Sequence, residues 1–328
     1  MTVARVQGTE DWRAPASSAA DHSGLRGTWY ILPTPFAEDG SLDTTSLGRL
    51  VEAAIGWGVD GLTAMGVMGE PAALTADERA SALRTALDVA HGRVPVAVGC
   101  SGAGPASVRA LIAQARELGA AAAMVAAPPL LRNVDLLPAF YADAAGAGLP
   151  LIIQDEPAAT GVVIPTSTLL ACVDASGAGA VKLEDPPTPP KISRLLAAHP
   201  DLAVFGGLGG VSALYELRRG ACGTMTGFAF PEILRQIRVS VEDGDLVSAA
   251  RCFDRYLPLI QFESQPTVGL AIRKEVLKRR GVLASNRTRG LSPAIDAVTA
   301  AELDDILERV GIQPDPGPFQ PWPKYFRS

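Results

Sequence analysis

The sequence predicts an α/β fold: a (β/α)8 barrel, or TIM barrel, followed by a C-terminal helical bundle. Eight short apolar runs alternate with helical patterns, which is the order expected of parallel strands joined by helical crossovers. The eight repeats occupy about 210 residues, the usual size of such a barrel. A doubly wound sheet gives the same alternation, but no GxGxxG motif follows the first apolar run, so we favour the barrel.

Each strand candidate is a short run of mostly apolar residues. In chain order they are TWYILPTPF at 28–36, GLTAMGV at 61–67, VPVAVGC at 94–100, AAAMVAAP at 121–128, PLIIQDEP at 150–157, GAVKLED at 179–185, LAVFGGL at 202–208 and CGTMTGFAF at 222–230. One helical pattern follows each of the first seven, and the second pattern opens with Thr75 and Glu78 at the spacing of a capping box. Helical patterns without further strands continue to residue 312.

These patterns divide the chain into four parts. Residues 1–23 mix Ala, Ser, Asp and Arg without periodicity and are expected to form a disordered extension. The barrel is expected over residues 24–240 and the C-terminal helical region over 241–312. A Pro-rich tail follows over 313–328.

Composition and charge exclude several classes of partner. The 328 residues are 48% hydrophobic and 20% charged, with a formal net charge of −6, so no basic surface for nucleic acid is expected. The longest weakly polar run, GAAAAMVAAPPLL at 119–131, is too short to cross a bilayer and is interrupted by Pro128 and Pro129. The N-terminus has no apolar signal core. We expect neither a nucleic acid nor a membrane partner.

Cysteine and histidine usage argues against disulfides, metal sites and a cofactor. The four cysteines, Cys100, Cys172, Cys222 and Cys252, are far apart and form no CxxC pair. This spacing is typical of reduced thiols in a cytoplasmic protein. None of the three histidines falls in a predicted strand, which disfavours a Ser/His/Asp triad and a His-ligated metal. The expected chemistry uses amine, carboxylate and backbone groups, without metal or cofactor.

The stretch GAVKLED contains a lysine where a buried strand is predicted. The sequence has five lysines, and Lys182 alone lies in a strand-like context, whereas Lys274 and Lys278 are expected on an exposed helix face. Alternation along the strand places Lys182 and Glu184 on one face, towards the lumen at the C-terminal mouth of the barrel. The alternative is a structural ion pair of Lys182 with Glu184 or Asp185.

A lumenal lysine beside a carboxylate suits imine chemistry. Burial disfavours the charged form of an amine, and a neutral amine attacks a ketone to form a Schiff base. The iminium is an electron sink, and a neighbouring carboxylate such as Glu184 can remove or return a proton at the adjacent carbon.

Four segments carry a resemblance to a known family. They are LPTPF with DGSLD just after it, GVMGE at 66–70, LPLIIQDEPAATG at 149–161, and a lysine at the usual distance beyond Gly161. Over residues 25–312 the chain resembles the dihydrodipicolinate synthase and N-acetylneuraminate lyase family of class I Schiff-base barrels. The resemblance implies that Lys182 forms the Schiff base and that the protein is a homo-oligomer, a tetramer or a dimer. It also implies that the 66–70 loop, with Gly66, Val67, Met68 and Gly69, cradles the carboxylate of a keto acid. Backbone N–H groups in such a turn suit that role.

The chain departs from the synthase pattern at several positions. Val67 and Met68 replace paired threonines, and Gln154 replaces the tyrosine of the fifth strand. The arginine that binds the second substrate's carboxylate in synthases is replaced around Ala159. Glutamine does not transfer protons at neutral pH as tyrosine does. The combination of Lys-x-Glu with Gln-Asp is instead similar to the branch that dehydrates 2-keto-3-deoxy sugar acids, with Gln154 holding a substrate hydroxyl or water.

Other residues near the predicted mouth are weaker candidates. Gly207 lies in GGLGG at 206–210, after the seventh strand, where barrels often bind phosphate; the alternative is a turn with close backbone approach. Thr224 and Thr226 share a face of the eighth strand and are candidates to offer hydroxyls to a polar substrate, although strand threonines are common. Asp155 alternates away from Gln154, which favours a structural role.

The resulting functional hypothesis is dehydration of a 2-keto-3-deoxy sugar acid, such as 2-keto-3-deoxyarabonate, through a Lys182 iminium. The first alternative is a pyruvate-dependent aldolase or synthase of the same family. A sugar-acid binding or regulatory protein without turnover ranks third, because such a protein has no need of a lumenal amine. The expected partner is a small 2-keto acid.

Overall fold

Eight parallel strands close into a barrel in a computed structural model that describes residues 25–290 and 292–313. Each strand pairs with its neighbours in chain order, and β8 pairs with β1. The strands are β1 Gly27–Ile31, β2 Gly61–Ala64, β3 Val96–Gly99, β4 Ala122–Ala126, β5 Leu151–Asp155, β6 Ala180–Leu183, β7 Ala203–Gly206 and β8 Gly223–Thr226. All eight begin within or next to the predicted runs, and the (β/α)8 fold is confirmed.

Helices surround the barrel and continue after its last strand. Those around the barrel are α1 Thr44–Gly56, α2 Ala76–Ala90, α3 Pro105–Glu117, α4 Leu137–Ala145, α5 Pro157–Thr160, α6 Thr166–Ser176, α7 Thr188–Ala198, α8 Ala213–Leu217 and α9 Pro231–Glu242. Three more follow: α10 Leu246–Glu263, α11 Gly269–Arg279 and α12 Ala297–Arg309. Thr75 and Glu78 form the predicted capping box at the start of α2. The predicted N-terminal extension and all but the first residue of the predicted tail lie outside the described residues, and the domain boundaries stay predictions.

The strands are buried on both faces, as parallel barrel strands are. Their outer residues, Val181 and Leu183 among them, join the core beneath the helices. Their inner residues fill the lumen with an apolar plug that includes Trp29, Met124 and Phe205. The rings of Trp29 and Phe205 meet edge to face, with centroids 5.9 Å apart. Apolar side chains therefore fill the lower lumen, and polar side chains lie above them towards the mouth.

Strand register places three side chains at one height around the lumen. Gln154 on β5 pairs with Lys182 on β6, and Lys182 pairs with Phe205 on β7. Side chains two residues further along β5 and β6 point the same way, one layer closer to the mouth. Those positions are Glu156 and Glu184.

The prediction that Lys274 lies on an exposed helix face is wrong. Its side chain on α11 is fully buried, and its Nζ lies 2.5 Å from Glu70 Oε1 and 2.8 Å from the carbonyl oxygen of Arg287. Because α11 is covered on most of its surface, the charge is buried and is balanced by a carboxylate from the loop after β2. Lys278, one turn on, is exposed as predicted.

Candidate active site

Lys182 lies at the top of the apolar plug with 3% of its surface exposed. Its Nζ donates a hydrogen bond to Glu184 Oε2 at 2.7 Å. Asp185 pairs instead with Lys191, at 2.9 Å. The amine and its carboxylate partner therefore face the lumen together, as strand alternation predicted.

Glu184 is held from three directions. Besides Lys182, Gln154 Nε2 donates to its Oε2 at 2.9 Å, and the backbone N–H of Leu208 donates to its Oε1 at 3.2 Å. A Cβ on Gly207 would lie 2.3 Å from Glu184 Cγ, so this position tolerates only glycine. Gly207 thus serves the site through its lack of a side chain, which supports the close-approach alternative for this residue.

A second carboxyl group, which the sequence reasoning missed, belongs to the same cluster. Gln154 Nε2 also donates to Glu156 Oε2, at 2.5 Å. Burial first, and then the neighbouring Glu184 carboxylate, raise the pKa of Glu156 to about 7, although the charge of Lys182 acts in the opposite direction. The alternation that placed Glu184 two residues after Lys182 also places Glu156 two residues after Gln154, and that was the available signal.

The 66–70 loop forms a tight turn at the mouth. Gly69 N–H donates to the Gly66 carbonyl oxygen at 2.7 Å, closing the 3-10 turn Val67–Gly69. Thr34 Oγ1 fixes the far side by donating to the Gly69 carbonyl oxygen at 2.6 Å. The N–H groups of Val67 and Met68 precede the first bond of the turn, which leaves them available as donors. This geometry suits the carboxylate cradle, whose role stays a prediction.

Thr224 and Thr226 do not line the lumen, contrary to expectation. They alternate with Met225, which belongs to the lumenal plug, and Thr226 pairs in register with the outward-facing Tyr30. Thr226 Oγ1 accepts a hydrogen bond from the N–H of Phe228 at 3.3 Å. Their hydroxyls therefore face the helix layer, on the opposite side of the strands from Lys182.

Arg273 on α11 reaches the mouth from the C-terminal helices and was also missed. Its guanidinium Nη1 donates to Met68 Sδ at 2.7 Å, and its Nε lies 3.6 Å from Glu263 Oε2. No local pattern marks this arginine, because its neighbours in space come from the ends of β2 and β7 and from α10.

Two cavities are described, one beside the site and one outside the barrel, and neither is lined by Lys182. One of 180 Å³ runs from Gln154 and the 66–70 loop outward between α2 and α3. A larger groove of 860 Å³ lies outside the barrel between α1, α9 and α10. Within residues 25–290 and 292–313 no cluster of metal-ligating side chains occurs, and no helix has the length and apolar character to span a bilayer.

Fold and site together define a class of protein: a (β/α)8 barrel with a buried lysine–carboxylate pair at its C-terminal mouth. Residues 25–309 match the sequence model of the Dihydrodipicolinate synthetase family, and the chain belongs to that family. The predicted family resemblance is thereby confirmed.

Two curated relatives and one solved structure illustrate the range of the family. An L-2-keto-3-deoxyarabonate dehydratase from Azospirillum brasilense is 34% identical over 295 residues, covering 87% of this chain and 94% of that protein. A 4-hydroxy-tetrahydrodipicolinate synthase from Xanthomonas axonopodis pv. citri is 34% identical over 231 residues, covering 69% and 76%. The crystal structure of a dihydrodipicolinate synthase from Rhodopseudomonas palustris superposes with a TM-score of 0.83 at 34% identity, covering 87% and 97%. These relatives carry different activities, so family membership alone does not select a substrate.

Proposed function

We propose that this protein dehydrates a 2-keto-3-deoxy sugar acid through an iminium on Lys182. The observation that carries the proposal is the cluster at the mouth, in which Gln154 bridges two carboxyl groups one layer above the lysine. One carboxyl group contacts the amine and the other does not, which provides a base and an acid. The similarity to a dehydratase acting on L-2-keto-3-deoxyarabonate supports the same class of reaction.

Imine formation uses the Lys182–Glu184 pair. Glu184 accepts a proton from the ammonium group across their 2.7 Å contact, and the free amine attacks C2 of the keto acid. Two of the three ammonium protons leave with the C2 oxygen as water, relayed by Glu184. The third stays on the iminium nitrogen, and Glu184 is again a carboxylate.

Elimination uses both carboxyl groups. Glu184 removes a proton from C3, and the electron pair forms the enamine. The enamine expels the C4 hydroxyl, to which Glu156 donates its proton, so that the group leaves as water. Water then hydrolyses the conjugated iminium, releasing the unsaturated 2-keto acid and restoring the amine. One proton has moved from Glu156 to Glu184, and solvent at the mouth returns it.

An aldolase or synthase activity is the second candidate, supported by relatives named 4-hydroxy-tetrahydrodipicolinate synthase. Gln154 argues against it, because the resemblance places a tyrosine at this position in synthases and glutamine does not exchange protons. Val67 and Met68 likewise provide no hydroxyl groups. The dehydratase mechanism needs neither the tyrosine nor the threonines.

The test is borohydride trapping with 2-keto-3-deoxypentonates and with pyruvate, followed by intact-protein mass and peptide mapping. We expect an adduct on Lys182 whose mass corresponds to the intact or dehydrated substrate. Lys191 and Lys274 are internal controls, since both are buried and paired but lie outside the lumen. Lys182→Arg should abolish the adduct.

Two results would change the assignment. A pyruvyl adduct formed from a pentonate would show carbon–carbon cleavage and favour the aldolase. No adduct with any keto acid would remove the Schiff-base mechanism and favour a binding protein.

A further inference from the structure

Glu70 ends the 66–70 loop in a backbone conformation that residues with a side chain rarely adopt. Its φ of +50 and ψ of +45 lie in the left-handed region. Met65, just before the loop, also lies there, with φ +57. Such conformations persist only where the surrounding structure holds them, and they cluster at ligand-binding sites. Whatever holds Glu70 therefore also holds the shape of the loop.

The C-terminal helical region holds the carboxylate of Glu70. Its Oε1 accepts a hydrogen bond from Lys274 Nζ on α11 at 2.5 Å. Its Oε2 accepts from the backbone N–H groups of Arg289 and Gly290, at 2.7 Å and 2.5 Å. Only 4% of the Glu70 side chain is exposed, and none of the Lys274 side chain. The pair is therefore shielded from solvent, and removing either partner would leave a buried charge unpaired.

The backbone of Glu70 joins two tight turns. Its N–H donates to the carbonyl oxygen of Val67 at 3.1 Å, and its carbonyl oxygen accepts a hydrogen bond at 2.9 Å from the last residue of the next turn. The turns are Val67–Gly69 and Pro71–Ala73. The available N–H donors of Val67 and Met68 belong to the first turn, so their direction depends on the anchor at Glu70.

The loop borders the region of the mouth that contains the lysine–carboxylate cluster. Gly66 and Val67 line the 180 Å³ cavity together with Gln154. A Cβ on Gly66 would lie 2.9 Å from Cγ2 of Ile31, a residue of the lumenal plug, so the loop backbone closely approaches the top of that plug. Gln154 is level with Lys182 in strand register. The loop and the lysine therefore border one region of the mouth.

We propose that the buried Glu70–Lys274 pair positions the 66–70 loop to bind the carboxylate of the keto acid. The inference rests on the proposed function, which fixes C2 of the keto acid at Lys182. The C1 carboxylate is bonded to C2 and stays in the same region of the mouth, where backbone N–H donors suit an anion. Lys274 is a positioning residue, because it acts on these donors through Glu70.

The experiment compares Lys274→Met with wild type in borohydride trapping of pyruvate and of acetone, which is pyruvate without its carboxylate. Both ketones need the Lys182 amine, but only pyruvate needs the loop. We expect the second-order rate constant of trapping to fall about 10-fold or more for pyruvate, as for one lost hydrogen bond to a charged group, and to change less than about 2-fold for acetone. The rate at saturating pyruvate should stay within about 2-fold of wild type, since the loss is one of binding.

A double variant separates positioning from folding. Lys274→Met leaves the carboxylate of Glu70 buried without its cation, whereas Glu70→Gln combined with Lys274→Met leaves no unpaired charge. The double variant should therefore be the more stable of the two in urea unfolding. It still lacks the ionic link to α11, so we expect it to trap pyruvate slowly and acetone at the wild-type rate.

Arg238→Met is the matched control. Arg238 is a buried cation on α9 that lies 2.9 Å from a carboxylate oxygen of Asp60 and 2.7 Å from one of Glu242. Asp60 immediately precedes β2, so this cluster lies at the end of the barrel opposite the mouth. The control should lower the free energy of unfolding and leave the ratio between pyruvate and acetone trapping unchanged.

Four results would count against these assignments. Equal losses for pyruvate and acetone in Lys274→Met would show that the pair supports the barrel and not the loop. Unchanged trapping of both ketones, or full recovery of pyruvate trapping in the double variant, would also overturn the inference. A wild type that traps acetone as fast as pyruvate would contradict the carboxylate site at the loop while leaving the Schiff base in place. A wild type that traps neither ketone would contradict the proposed function itself.

Discussion

At the scale of single residues, two carboxyl groups at the same height have different surroundings. Glu184 Oε2 accepts a hydrogen bond from the Nζ of Lys182 at 2.7 Å. Glu156 contacts Gln154 and no cation, and burial raises its pKa to about 7. Neighbouring acids whose environments separate their protonation states provide an acid and a base at one pH. Dehydration requires such a pair, since one proton leaves C3 while another reaches the C4 oxygen.

Glu156→Gln should separate adduct formation from elimination. The amide keeps the size of the side chain and its contact with Gln154 but has no proton to donate, so we expect the dehydration rate to fall about 10²- to 10⁴-fold. Borohydride trapping at Lys182 should persist, because imine formation uses Glu184. The measurement is steady-state product formation alongside trapping.

The pH profile gives an independent readout of the same residue. Glu156 loses its proton as pH rises through about 7, so the wild-type rate should decline there, and the Glu156→Gln rate should not. Glu216→Gln is the matched control: burial raises the pKa of Glu216 to about 7 as well, but it lies under the helix layer beside Thr188. An unchanged rate in Glu156→Gln would exclude Glu156 as the acid.

The alternation of side chains along one strand was sufficient to predict that Lys182 and Glu184 point into the lumen together. Glu156 joins them only because Gln154 and Lys182 are level on neighbouring strands, and this register is a tertiary property. Arg273 depends on a helix folding back over the mouth. Sequence reasoning therefore found Lys182, Glu184 and Gln154 but missed Glu156 and Arg273, whose places in the cluster depend on strand register and helix packing.

At the scale of elements, one lysine ties together the segments that carry the site. Lys191 Nζ on α7 lies 2.6 Å from Asp155 Oδ2 at the end of β5 and 2.9 Å from Asp185 Oδ2 just after β6. It also donates to the carbonyl oxygen of Ile164, before α6, at 2.7 Å. These contacts fix the ends of the two strands that present Gln154 and Lys182. The structural role expected for Asp155 agrees with this arrangement.

Lys191→Met should destabilise the fold strongly. It leaves two carboxylates without their cation, one of them fully buried, and such a loss costs about 3–5 kcal/mol. The measurement is urea unfolding, in which the midpoint should fall. Adding Asp155→Asn should recover part of the loss, and the exposed Lys278→Met should change the free energy of unfolding by less than about 0.5 kcal/mol. A Lys191→Met midpoint equal to that of wild type would contradict the role of this lysine.

The positions of the strands and helices were largely predictable from the sequence. The face of each strand that points into the lumen was harder to predict. Eight apolar runs sufficed for the barrel because each crossover has the length of a helix. In β8, however, both faces are buried, so Thr224 and Thr226 give no sign of which side they occupy. The burial of Lys274 was not predicted for a related reason, since its ion-pair partner Glu70 lies in a loop far earlier in the chain.

At the scale of the whole molecule, buried acids make stability depend on pH. Five carboxyl groups in the described ranges, three buried and two half-buried, have raised pKa values, chiefly because of desolvation: about 6 for Asp155, about 7 for Glu156, Glu216 and Glu263, and a raised pKa for Glu232. At a pH between the ordinary pKa of each group and its raised pKa, the folded protein keeps a proton on that group that the unfolded chain has released. The free energy of unfolding therefore decreases as pH rises through this interval, and the decrease is complete above about 7.

We expect the melting temperature to be several degrees higher near pH 5 than near pH 8. Carboxyl groups with lowered pKa values change the free energy of unfolding only at pH values below this interval. Hydrogen bonds from Arg289, for example, lower the pKa of Glu78 to about 2. Glu216→Gln removes one of the five titrations while its side-chain oxygen can still accept from Thr188. It should melt above wild type near pH 8 and close to wild type near pH 5. Melting curves with parallel pH dependence in the two proteins would show that Glu216 titrates alike in the folded and unfolded states.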